Sequence, residues 1–188
     1  AATGTARSAV PIVLLAAWEL HYLYRTFLYP ALMRSSPRTF PLVLVALAWV
    51  YNAANGYVNG WHLFRSGAGY PVEWLADPRF IAGMVLFAAG FATHVRSDAA
   101  LRALRRPGES GYRIPRGGLF ELVSAPNYLG EILQWFGFAL AAWSFAGLSF
   151  AIFTTANLLP RALSHHAWYR RTFPDYPSDR KAVIPLLL

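Results

Sequence analysis

Five apolar runs punctuate the chain, covering about residues 9–29, 40–61, 80–95, 126–143 and 146–163. Each approaches the roughly 20 residues that an α-helix needs to cross about 30 Å of hydrocarbon. The runs are too long for barrel strands and lack period-two alternation. The pattern therefore predicts an all-α fold, a polytopic transmembrane helical bundle with five spans in one membrane-embedded domain over residues 1–188. The third run is the shortest and has room to extend toward Asp98. Between the fourth and fifth, "WSFAG" leaves only a tight turn, so these two should form an antiparallel hairpin.

Polar positions inside the runs carry the candidate chemistry. Residues at i, i+4 and i+7 share a helix face, and Asn127, Glu131 and Gln134 or Trp135 fit that spacing. An ionisable group within a span is costly and faces a bundle interior or a wet cavity; the plainer reading is a polar contact that holds a neighbouring helix. Beyond the fifth run, Arg161, His165 and Tyr169 fall at i, i+4 and i+8. His165 and His166 are adjacent and point about 100° apart on a helix, so they make a poor metal pair, and no metal is expected. In the first run Tyr22, Arg25 and Tyr29 share a face, with Glu19 and His21 nearby. Tyr22 reads as a phenol placed to act as an acid, or as an interfacial aromatic.

Composition supports the bilayer. Hydrophobic residues make up 56% of the chain and charged residues 14%, against about 25% charged in soluble domains. With no Cys there is no thiolate chemistry. The net charge of +8 is not spread evenly: 14 of the 17 basic residues fall on one side of a five-span topology. That side is then cytoplasmic and includes the C-terminus, while residue 1 lies outside. Topology accounts for the basic excess without nucleic acid. It does not account for six arginines within residues 96–116, a density that suits a lipid headgroup or a polyphosphate. No GxGxxG or GxxxxGK[ST] motif occurs. The N-terminal stretch lacks the basic region and cleavage site of a signal peptide. The chain does not begin with Met, so further residues are expected upstream.

The segment "HVRSDAALRALRRPGESGYRIPRGGLFELVSAPNYLGEILQWFGFALAAWS" resembles the steroid 5α-reductase family. So do "HYLYRTFLYP" near the start and the tail "RALSHHAWYRRTFPDYPSDRKAVIPLLL". The resemblance covers essentially the whole chain. It implies a membrane oxidoreductase that uses NADPH to reduce the C4–C5 double bond of a 3-oxo-Δ4 steroid, with cytosolic loops covering a cofactor cavity and a bacterial inner-membrane location. It also implies seven spans in full-length members, two of them absent here together with the family's catalytic glutamate, so that five spans alone are expected to be inactive. Carried over residue by residue, Tyr22 bonds the steroid 3-oxo group and Trp135 lies near the steroid. Asp98 contacts the adenosine part of the cofactor; Arg105, Tyr112 and Arg113 hold its phosphates and ribose. Asn127 and Glu131 line the nicotinamide end, and Arg161, His165 and Tyr169 form the cofactor face of the last span. Arg38 matches a phosphate-contacting arginine. His94 stands where close relatives often have Asn at the cofactor.

Three other readings share parts of this pattern. A related enoyl reductase acting on enoyl-CoA or a polyprenol has the same cofactor site. A non-catalytic membrane protein could bind anionic lipid through its arginines. A methyltransferase using S-adenosylmethionine shares the helical architecture, but its tail differs from "YPSDRKAVIP".

Overall fold

The computed structural model describes residues 8–33, 41–65, 69–104 and 111–188. Six α-helices account for most of them: α1 (Val10–Leu23), α2 (Tyr29–Leu32), α3 (Leu42–Phe64), α4 (Pro78–Ala103), α5 (Pro126–Ala142) and α6 (Phe145–Thr172). Among the described residues no β-strand forms; one parallel bridge pairs Val123 with Lys181. The class is all-α, as the apolar runs predict.

Each expected span has a helical counterpart, with differences at the ends. The first run is α1 and α2 joined by a π-helical turn over Tyr24–Leu28. Pro30 lies just beyond that turn; it has no N–H to give to Thr26 and its ring crowds that carbonyl, and a widened turn relieves both. α4 runs to Ala103 and carries Asp98 on the helix. α6 runs to Thr172, so Arg161, His165 and Tyr169 do share one helix. Among the described residues, one helix, Pro78–Ala103, is by itself long and apolar enough to cross a membrane. The apolar surface of α3 is broken by Asn52, Asn55, Asn59 and His62, α5 has only 17 residues, and α6 ends in a charged segment.

The chain divides into two compact units: Ala1–Gly83 with Phe138–Phe150, and Met84–Gly137 with Ala151–Leu188. In the first, Val10, Leu14, Ala17 and Trp18 form a buried stripe at helical spacing along α1. Trp18 packs its ring against Phe150 at 5.0 Å and Phe138 at 5.3 Å. The last carbonyls of α5 lack partners within the helix, and two aromatic side chains supply them. Tyr70 donates its hydroxyl to the Ala142 carbonyl at 2.6 Å, and the Trp74 indole donates to that of Ala141 at 2.9 Å. Burial pushes the Tyr70 phenol up to about 12, so it remains a donor. Trp143, at φ 45°, and Ser144 make the whole link between α5 and α6, and the Ser144 hydroxyl accepts from Gly147 N–H at 3.0 Å as an N-cap. This is the tight hairpin that "WSFAG" predicts. The Arg79 guanidinium lies over both Trp74 and Trp143 and pairs with Asp77 at 2.8 Å.

In the second unit, α4 and α5 approach backbone to backbone at Gly90 and Gly130. A Cβ on Gly130 meets His94 N at 2.5 Å. The C-terminal segment lies beside the start of α5: Ser124 and Ala125 donate their N–H groups to the carbonyls of Lys181 and Ala182, at 2.8 and 3.0 Å. Val183 then packs with Ala125 and Ala162, flanked by Leu129, Ile132 and Leu159. The "RGG" turn needs its glycines, since Gly117 and Gly118 both have positive φ, 86° and 56°.

Candidate active site

Close helix contact in the second unit brings four predicted residues together. His94 and Asp98 are one turn apart on α4; Asn127 and Glu131 are one turn apart on α5. His94 is 1% exposed and Asp98 3%. Asp98 uses both carboxylate oxygens, one accepting from Asn127 Nδ2 at 3.1 Å and the other 3.1 Å from His94 Nε2. The same imidazole nitrogen lies 3.8 Å from Glu131 Oε2. Gln134, one further turn along that face, is fully buried. The predicted face of α5 is therefore real, and its partner is α4. The Asn127–Asp98 bond also places these two side chains at a single point.

Trp135 lies on the adjacent stripe. It is 1% exposed and sets its ring edge against Phe87 of α4, as a core side chain does.

The α6 face is a second cluster in this unit. His165 Nε2 is 3.4 Å from the Tyr128 hydroxyl, at the edge of hydrogen-bonding range. Partial burial, and then the charge of Arg161, hold the His165 imidazole below its ordinary value. Tyr169 stacks on Tyr176 at 5.2 Å, and Tyr112 meets Trp168 edge-on at 4.9 Å. Arg113 and Arg161 are exposed. Arg38 and Arg105 lie outside the described residues.

Sequence reasoning overlooked a buried hub behind this face. The Ser124 hydroxyl is 2.6 Å from Tyr176 OH and 2.7 Å from His166 Nδ1, and it donates to the Lys181 carbonyl at 3.1 Å. It joins α5, α6 and the tail. Arg180, 1% exposed, completes the fastening by donating to the Pro115 carbonyl and pairing with Glu121 at 3.3 Å. Ser124 has no periodic partner in sequence, so nothing local marks it.

Tyr22 belongs to the first unit. Its ring stacks on Trp18 at 5.5 Å and meets the edge of buried His21 at 5.4 Å. Its hydroxyl donates to Asn52 Oδ1 of α3 at 2.8 Å. The Asn52 amide in turn donates to the Ala48 carbonyl at 2.7 Å. Further along α3, Asn59 Nδ2 reaches both Oδ1 and the carbonyl of Asn55 at 3.1 Å. Arg25 lies over Tyr29 at 5.1 Å, which confirms their shared face.

The arrangement offers a held phenol donor in one unit. In the other it offers buried carboxylate and amide groups, with arginines nearby in sequence. A family model described as 3-oxo-5-alpha-steroid 4-dehydrogenase matches residues 38–188. Over 176 residues the chain is 48% identical to the 3-oxo-5-alpha-steroid 4-dehydrogenase 1 of Rattus norvegicus, spanning 94% of this chain and 67% of that protein. The Homo sapiens protein of the same name is 46% identical over 181 residues, 96% of this chain and 69% of that protein. The 3-oxo-5-alpha-steroid 4-dehydrogenase 2 of Rattus norvegicus is 47% identical over 175 residues, 93% of this chain and 68% of that protein.

Proposed function

The chain belongs to the 3-oxo-5-alpha-steroid 4-dehydrogenase family, and from that membership we propose that it reduces the C4–C5 double bond of a 3-oxo-Δ4 steroid with NADPH. It is an oxidoreductase acting on a CH–CH group. The observation that carries the substrate is identity of 46–48% along 94–96% of the chain to proteins of that name.

Bound NADPH supplies a hydride for carbon 5 of the steroid, and a proton added at carbon 4 completes the saturated ketone. Tyr22 donates its phenolic O–H to the 3-oxo oxygen, where negative charge gathers as the β carbon accepts hydride. Trp18 and His21 hold the ring on two sides.

The donor set of the second unit fits a dinucleotide. Asp98 and Glu131 accept from hydroxyl or amide donors, and Asn127 both donates and accepts. Because Asn127 and Asp98 are bonded to each other, we assign both to one polar segment of the cofactor, with His94 orienting Asp98. Arg38, Arg105, Arg113 and Arg161 serve the phosphates, for which a guanidinium fork is well shaped. Tyr112, His165 and Tyr169 complete the cofactor face, and Trp135 backs the steroid side.

The helices cross a bacterial inner membrane, with the C-terminus in the cytoplasm. The exposed apolar side chains of α3 support this: Leu42 is 83% exposed and Trp49 72%. So does the one-sided placement of 14 of the 17 basic residues.

The test is NADPH oxidation by the full-length protein in lipid, with progesterone or testosterone, NADH in parallel, and the product weighed by mass spectrometry. A product heavier by two hydrogens, formed with NADPH in strong preference, is the expected outcome. NADPH binding without steroid turnover moves the substrate to an enoyl-CoA or a polyprenol. Lipid-dependent binding with no preference for NADPH removes the enzyme reading of the site.

A further inference from the structure

The phenol of Tyr22 is engaged by a residue that the sequence pattern does not single out. Asn52 sits 30 positions away on α3 and accepts from the Tyr22 hydroxyl at 2.8 Å. Its own amide group is oriented by the helix: Nδ2 donates to the Ala48 carbonyl, one turn back, at 2.7 Å. Flipping the amide would set Oδ1 against that carbonyl, two acceptors with no proton between them. Oδ1 is therefore committed to Tyr22, and the single phenolic proton is committed to Oδ1.

An amide oxygen accepts a hydrogen bond more strongly than a ketone oxygen and less strongly than an enolate oxygen. A ketone arriving at Tyr22 thus competes poorly for the proton that Asn52 holds. The oxygen that gains charge during reduction competes well. Interactions that strengthen only in the transition state raise turnover, whereas those made equally in the ground state only lower KM. We propose that Asn52 is a positioning residue for Tyr22, aiming its phenol and withholding its proton until enolate charge develops. The proposal rests on the reading of Tyr22 as the donor to the substrate oxygen.

The test is a double-mutant cycle in the full-length protein with a 3-oxo-Δ4 steroid. Asn52→Leu keeps the side-chain bulk and removes the acceptor. It should lower kcat about tenfold and lower KM as well, the signature of lost ground-state restraint. In a Tyr22→Phe background the same change should alter kcat by less than about twofold, because coupled residues are not additive. NADPH affinity should not move. Asn52→Ala should give the same pattern, which covers failure of the leucine variant to fold. Unchanged kcat, a raised KM alone, or an equal loss with and without the Tyr22 hydroxyl overturns the proposal. Full turnover by Tyr22→Phe overturns the reading of Tyr22 itself and takes the Asn52 proposal with it.

Discussion

Gly90 and Gly130 face each other with no side chain between them: a Cβ on either would sit 2.6–2.7 Å from the other's carbonyl oxygen. This contact sets α4 against α5 closely enough for His94 and Asp98 to meet Asn127 and Glu131. The polar cluster is thus a product of two missing methyl groups, one between Asn127 and Glu131 on α5 and one a turn before His94 on α4.

Gly130→Ala is expected to damage the fold and the cluster together. Its added carbon meets the backbone of His94 and Gly90, which no rotamer change relieves. Overpacking costs about 1–3 kcal/mol even where side chains can shift, so the loss should lie at or above the top of that range. Thermal unfolding checks the first effect and NADPH titration the second. An unshifted midpoint would mean that the helices can separate freely.

Tyr22→Phe removes one hydroxyl and leaves the Trp18 stack. Losing one preorganised donor to a developing oxyanion costs about 10²–10³ in kcat. NADPH affinity should stay within about twofold, a change too small to reflect a lost hydrogen bond. Equal losses in both quantities would take the catalytic role away from Tyr22.

Glu131→Ala should weaken NADPH binding by about tenfold or more, the scale of a hydrogen bond to a charged group. Fluorescence titration of NADPH measures it directly. An unchanged dissociation constant would leave Glu131 as a helix-to-helix contact only.

The tail fastening should loosen in acid. Burial first, and then Arg170, Arg180 and Lys181, hold the His166 imidazole below its ordinary value. A depressed pKa means that the folded state favours the neutral ring. The stability linked to that ring is present above the unfolded value, about 6.5, and is lost as pH falls through the lower folded value. Glu121 works in the same direction, since the Gly117 N–H and then Arg180 and Arg116 hold its carboxyl low. Amide protection at 181–183, taken relative to the intrinsic exchange rate at each pH, should therefore fall below about pH 6.5, and His166→Gln should flatten that dependence in the upper part of the range.

What the sequence made legible followed from local periodicity. The apolar runs located every long helix, and the spacing of Asn127 with Glu131, and of Arg161 with His165 and Tyr169, gave true helix faces. Helix ends were less legible. α4 runs on past Asp98 to Ala103, and α6 runs past the fifth apolar run to Thr172, through segments that are no longer apolar. Pairings were not legible at all. Tyr22 with Asn52 and Ser124 with His166, Tyr176 and Lys181 join residues 30–57 positions apart, and no periodic signal links such positions. Trp135 fitted the polar spacing of α5 about as well as Gln134 did, yet it is a core side chain beside that face.

The bridge between Val123 and Lys181 also orders events during synthesis. The amides that open α5 take their partners from residues made almost 60 positions later, so this unit cannot close while the ribosome is still building α6. Until Lys181, Ala182 and Val183 emerge, the mouth of α5 stays open and the Ser124 hub lacks its tail acceptor. A chain stopped short of these residues can form its helices and still leave this unit open, because what it lacks is the final latch rather than any part of the helices.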